Sequence, residues 1–177
     1  MLELQQVYFY MKWGKIMNNI YIGKIVNTHG IKGEIRILSD FQFKENAFKV
    51  GTNIIIDSEK YRINSYRKHK QFDMITLDGY NNINDVLFLM KKKVYKEKDE
   101  LNLKKEQILD SELLSFKVID KYGNSGIIKE VFYASSTNKI IRVMFNKEIL
   151  IPLGSPFIKN IDIDNKQIEV DLIEGMI

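Results

Sequence analysis

Cysteine is absent from this sequence, which excludes disulfides, thiolate metal sites and cysteine nucleophiles. A cysteine-free chain fits a reducing compartment. Histidine is almost as scarce: His29 and His69 each stand among lysines, without the HxH or HxxE spacing of a metal site. His29 is read as a loop hydrogen-bonder or a packed ring, with metal ligation as the alternative. Long apolar runs are missing too, since no stretch approaches the roughly 20 residues that cross a bilayer. The opening MLELQQVYFYMKWGKIMNN is broken by Glu3, Gln5, Gln6, Lys12 and Lys15, so it lacks the unbroken apolar region of a signal peptide. The expected location is the cytoplasm, with no membrane partner. A strong charge bias is also lacking. Lysine plus arginine number 27 against 23 acidic residues, a net charge of +4. That balance is compatible with nucleic acid or an acidic partner and demands neither.

Catalytic constellations are equally hard to find. Asp162 and Asp164 make a D-x-D without the glycine or distal glutamate of a calcium loop, and turn formation explains them better. Asp110 and Glu112 are a carboxylate pair with nothing to raise a pKa. The segment Thr28 to Glu34, THGIKGE, has two glycines and a lysine. It lacks the G-x-x-x-x-G-K-[ST] spacing and precedes a strand, so it is not a phosphate-binding P-loop. The chain is therefore expected to be no enzyme and to need no cofactor or metal.

What is present is a succession of short alternating strands. Tyr21–Val26 and Glu34–Leu38 flank the glycine loop, and Asn53–Asp57, Lys60–Arg67 and Phe72–Leu77 follow, separated by polar turns. Asp40–Lys49 reads as a loop or one helical turn. Asn82–Lys91 breaks the pattern as one short helix, with Asn82 or Asn84 as cap, an apolar stripe of Val86, Leu87, Leu89 and Met90, and lysines at its end. A small strand at Lys93–Tyr95 closes this part. Glu97–Asp110 is the most charged stretch and the natural linker. Further strands are expected at Phe116–Asp120, Gly126–Tyr133, Lys139–Phe145, Glu148–Pro152 and Gln167–Asp171. The fold class is all-β, with two small β-barrel domains joined by a charged linker and one short helix late in the first. The boundaries are an N-terminal extension at 1–18, a first barrel at 19–97, a linker at 98–110 and a second barrel at 111–177. The first 16 residues look unlike the rest, so Met17 is expected to be the natural start. An amphipathic anchor over Val7–Trp13 is the alternative use of that stretch. Basic and aromatic residues interleave at Tyr61, Arg62, Tyr66, Arg67, Lys68, His69 and Lys70, which reads either as RNA contact or as an exposed hairpin end with Tyr61 in the core.

One run is specific by likeness. Gly23-Lys24-Ile25-Val26-Asn27-Thr28-His29-Gly30-Ile31-Lys32-Gly33-Glu34-Ile35-Arg36 resembles the signature of the RimM family of bacterial ribosome maturation factors. Phe48 to Gly51, Tyr61 to Ile63, Arg67 to Lys70 and Leu77 to Asp85 follow in family order, and Leu113-Leu114, Asp120, Gly126 and Ile151-Pro152 resemble a PRC barrel. The resemblance covers about residues 19 to 177. It implies a monomeric, non-enzymatic factor that binds immature small ribosomal subunits through ribosomal protein nineteen of the subunit head, acts near the head rRNA, and promotes head assembly and rRNA processing. The alternative is a small β-barrel RNA-binding protein, or a flavin- or ligand-binding barrel, without an assembly role. Thr28, His29, Lys32, Arg36, Arg67 and Lys68 are the candidate rRNA or ribosome contacts. Ile108, Leu109 and Phe132 are candidate contacts to a protein partner or between domains. Family members often carry a Tyr-Tyr pair where Ile108 and Leu109 stand, so hydroxyl and ring contributions are lost there.

Overall fold

The computed structural model describes residues 18–135, 138–173 and 175–176. The start at Met17, the anchor over Val7–Trp13 and all of the 1–18 extension except Asn18 lie outside the described residues. The chain divides after Asn102 into two compact units.

In the first unit, β1 (Asn19–His29), β2 (Glu34–Leu38), β3 (Asn53–Ile56), β4 (Glu59–His69), β5 (Phe72–Leu77) and β6 (Lys93–Glu97) form a closed barrel in the order β1-β2-β5-β4-β3-β6. Alternation explains the strands. Ile22, Ile25, Ile35, Ile37, Ile54, Ile63, Ile75 and Leu77 are almost fully buried, while their neighbours face outward. Closure depends on β6, which pairs antiparallel with both β1 and β3. Bulges at Tyr21/Gly23, Ile25/Asn27 and Ile63/Ser65 bend the two long strands around the barrel. At Gly23 a Cβ would come within 2.7 Å of Ile37 Cγ2 and 2.8 Å of the Leu38 carbonyl, so only glycine lets these strands approach.

A single helical turn, α1 (Lys44–Ala47), follows β2. Beside it, buried Asp73 accepts hydrogen bonds from Lys44 Nζ and from the Tyr66 hydroxyl, both at 2.9 Å. Burial and that bond to Asp73 push the Tyr66 hydroxyl well above its ordinary pKa. The helix expected over Asn82–Lys91 is shorter. Here α2 spans Ile83–Val86, a 3₁₀ turn covers Leu87–Leu89, and Lys91 adopts φ +66°. Asn82 does cap it, accepting from the Asn84 N–H at 2.9 Å while Asp85 accepts from the Asn82 N–H at 3.1 Å. Tightening to three residues per turn changes the buried face. Val86 and Leu89 are buried, but Leu87 from the expected stripe is 49% exposed.

The charged stretch expected as a linker at 98–110 is structured at both ends. A 3₁₀ turn at Lys98–Leu101 buries Leu101 on the first unit, and Glu100 accepts from the Asn53 N–H at 3.3 Å. Lys96, fully buried, donates to Thr52 Oγ1 and the Asn53 carbonyl, both at 2.6 Å, with Glu100 3.6 Å away. Burial lowers its pKa against the opposing pull of Glu100. In the second unit, α3 (Asp110–Leu113) buries Leu113, and the Glu112 carboxylate accepts from the Leu109 N–H at 3.1 Å.

That unit continues with β7 (Lys117–Asp120), β8 (Ser125–Tyr133), β9 (Lys139–Met144), β10 (Glu148–Pro152), β11 (Ile158–Asp162) and β12 (Gln167–Val170), in one six-stranded sheet ordered β10-β9-β8-β7-β12-β11. Its core gathers Leu113, Phe116, Val118, Ile128, Ile141, Val143, Ile149, Ile151, Ile168, Val170 and Leu172. Strand β11 has no counterpart in the sequence reading. Lys159 and Asn160 interrupt its alternation, and the ladder shifts register between Ile158 and Asn160. Asp120 shapes the β7–β8 turn by accepting from the Tyr122 and Asn124 N–H groups at 2.9 and 2.7 Å. Desolvation raises its pKa, but the bonds from Asn124, Tyr122 and Gly123 together outweigh it and hold the carboxylate below its ordinary value.

Candidate nucleic-acid interface

The loop between β1 and β2 is held from behind. Gly33 has φ +73°, and a Cβ there would lie 2.9 Å from the Tyr80 carbonyl and 3.0 Å from that of Asn82. The Ile83 N–H donates to the Ile31 carbonyl at 3.0 Å, tying the loop to the start of α2. Gly30, at φ +64°, has open space around it and supplies only the left-handed turn. The result is a fixed loop with Lys32 and Ile31 exposed at its tip, Ile31 to 78%.

Strand register then sorts the candidate residues by face, because directly paired residues point the same way. Arg36 pairs with Asn27 and Met74, and Met74 pairs with Arg67, placing these on the outer face. Met74 lies between the two arginines and is fully buried despite facing outward. Arg36 donates from Nη2 to His29 at 2.6 Å; a guanidinium only donates, so His29 Nδ1 accepts. The Arg36 guanidinium also lies 5.8 Å from the centre of the Phe72 ring. The His29 and His69 rings stack with centroids 6.0 Å apart. Arg67 grips Glu34 with two bonds, Nε to Oε1 at 2.7 Å and Nη2 to Oε2 at 2.6 Å, and the hydrogen bond with Glu34 raises its pKa further.

The structure thus brings His29, Arg36 and Arg67 onto one face and adds Glu34, His69 and Phe72. Thr28, paired with Ile35, and Lys68, paired with Asp73, have the opposite parity. Lys68 is exposed because it sits near the end of its strand, and Lys32 is carried by the loop. Among the described residues Lys32, Lys68 and Lys70 have no ion-pair partner, whereas the charge of Arg67 is partly spent on Glu34. The three apolar candidates divide differently. Leu109 is 2% exposed and buried at the entry to α3, where its N–H donates to the Glu112 carboxylate. Ile108 is half-buried against the second core, and Phe132 is half-buried with the Arg142 guanidinium 5.8 Å from its ring centre.

Sequence reasoning treated the two histidines as isolated, because their neighbourhood arises only from barrel register. It also passed over Phe88, which is 52% exposed, and Tyr80, whose ring centroid lies 6.4 Å from that of Phe88. The signal was available in the position of Phe88 off the apolar stripe of its helix. No group of three His, Cys, Asp or Glu side chains that could hold a metal occurs among the described residues. No helix among them is long and apolar enough to cross a membrane.

A closed six-stranded barrel followed by a second β unit, with a braced glycine hairpin, a hydrogen-bonded arginine–histidine face and, among the described residues, lysines without ion-pair partners near it, defines a two-part β protein. The family is identified by comparison with known proteins. Residues 20–101 match the RimM N-terminal domain. Ribosome maturation factor RimM of Staphylococcus saprophyticus is 36% identical over 166 residues, covering 89% of this chain and 98% of that protein. The Bacillus mycoides factor of the same name is 33% identical over 165 residues, covering 88% and 96%. A solved RimM chain from Pseudomonas aeruginosa aligns over 88% of this chain and 98% of that one, at 20% identity and a TM-score of 0.44. The chain belongs to the RimM family of ribosome maturation factors.

Proposed function

We propose that this protein is a cytoplasmic ribosome maturation factor that binds immature small ribosomal subunits and promotes assembly of the subunit head and processing of its rRNA, with ribosomal protein nineteen as its protein partner. The observation that carries this reading is the 36% identity to a named maturation factor across 89% of the chain, spanning both units. The geometry supports binding as the mode of action. Lys32, Lys68 and Lys70 offer unneutralised cations to phosphates, and the bonded Arg36–His29 and Arg67–Glu34 pairs stiffen the face beside them. No covalent step is required of any residue. Co-sedimentation with immature and mature small subunits tests the reading: retention on immature particles and release from mature ones supports it, and equal binding to both, or to neither, overturns it.

A further inference from the structure

Away from the arginine–histidine face, three rings form a chain on the first unit. Tyr61 of β4 lies 5.7 Å from Tyr80, and Tyr80 lies 6.4 Å from Phe88 in the 3₁₀ turn after α2. The two tyrosines are half-buried and form the base; Phe88 is 52% exposed. Adjacent Leu87 is 49% exposed, and the Ile31 loop is tied to the same helix. Single exposed apolar residues are ordinary, but an apolar group with a partly exposed ring on a tyrosine base marks a contact site.

Charge selects its occupant. Lys91, Lys92 and Lys93 follow the turn directly, with the Lys92 ammonium 5.8 Å from the centre of the Phe88 ring and ion-paired to Asp57. Lys91 and Lys93 are exposed and have no ion-pair partner among the described residues. A partly exposed ring beside the ion-paired Lys92, itself flanked in the chain by these two lysines, matches a nucleotide, which offers a base to the ring and a phosphate to the lysines. We propose that the Tyr61–Tyr80–Phe88 chain is a stacking platform for an unpaired base of single-stranded RNA, with Lys91 and Lys93 taking the neighbouring phosphates.

The proposal rests on the reading that the protein works against rRNA, and it adds the site and the strandedness of the RNA. The test uses the full chain, a labelled oligoadenylate of about twelve nucleotides, an RNA duplex of the same length, and anisotropy at fixed salt. Each variant is first shown to melt as the parent does. The parent should prefer the single strand. Phe88→Leu, which keeps apolar bulk but removes the ring, should weaken single-strand binding roughly 5- to 150-fold, and Phe88→Trp should retain it. Unchanged binding by Phe88→Leu, equal loss in both variants, or no single-strand preference in the parent each overturns the platform. Co-sedimentation of the same variants separates the two readings. If Phe88→Leu binds oligoadenylate as the parent does but loses immature particles, the patch contacts protein; if the parent itself ignores immature particles, the maturation reading falls instead.

Discussion

Gly33 offers a direct measure of how tightly the signature loop is braced. Gly30 and Gly33 both have positive φ, +64° and +73°, so alanine at either costs about 1–2 kcal/mol of backbone strain. Only at Gly33 does a Cβ meet backbone, with the Tyr80 and Asn82 carbonyl oxygens at 2.9 and 3.0 Å. Neither oxygen can rotate away as a side chain would, so that contact adds about 1–3 kcal/mol. Gly33→Ala should therefore be the more destabilising by that margin. For a unit of this size each kcal/mol lowers the melting temperature by about 4–8 °C. Far-UV circular dichroism melts of the two full-length variants, with urea titrations to check that the slope is unchanged, read the difference. Equal melting temperatures would refute the bracing, and a larger loss at Gly30 would show that strain alone decides.

Asp73→Ala should destabilise the first unit by about 2–3 kcal/mol in urea unfolding. It strips partners from the Tyr66 hydroxyl and Lys44, though Lys44 keeps 26% side-chain exposure and so loses less than a buried cation would. Leu109→Ala should cost roughly 2–5 kcal/mol of stability because the residue is 2% exposed; a variant with parental stability but impaired particle binding would assign Leu109 to a partner contact instead. Lys96 gives a pH signature. Its folded pKa is lowered, so the unfolded chain holds the proton more firmly, and stability rises as pH climbs from the folded value to the ordinary lysine value. Lys96→Met should abolish that alkaline rise in urea midpoints measured across the window, and persistence of the rise would assign it elsewhere.

The sequence by itself determined the parts whose causes are local. Strands β2 and β5 run where alternation between turn residues places them, Glu34–Leu38 and Phe72–Leu77, because a period of two needs no knowledge of partners. The Asn82 cap was legible for the same reason, as was the glycine loop with its likeness to one family. Tertiary structure decided what depends on distant pairings. It closed the barrel through β6 and drew Glu97 to Leu101 out of the apparent linker, because Lys96 and Glu100 find Thr52 and Asn53 more than 40 residues away in sequence. It buried Met74 between two arginines on an outward face, joined His29 to His69, and put Arg67 and Lys68 on opposite sides of one strand. Composition shows that such residues exist; only register across several strands shows which of them meet, since a shift of one residue would turn every one of those side chains to the other face.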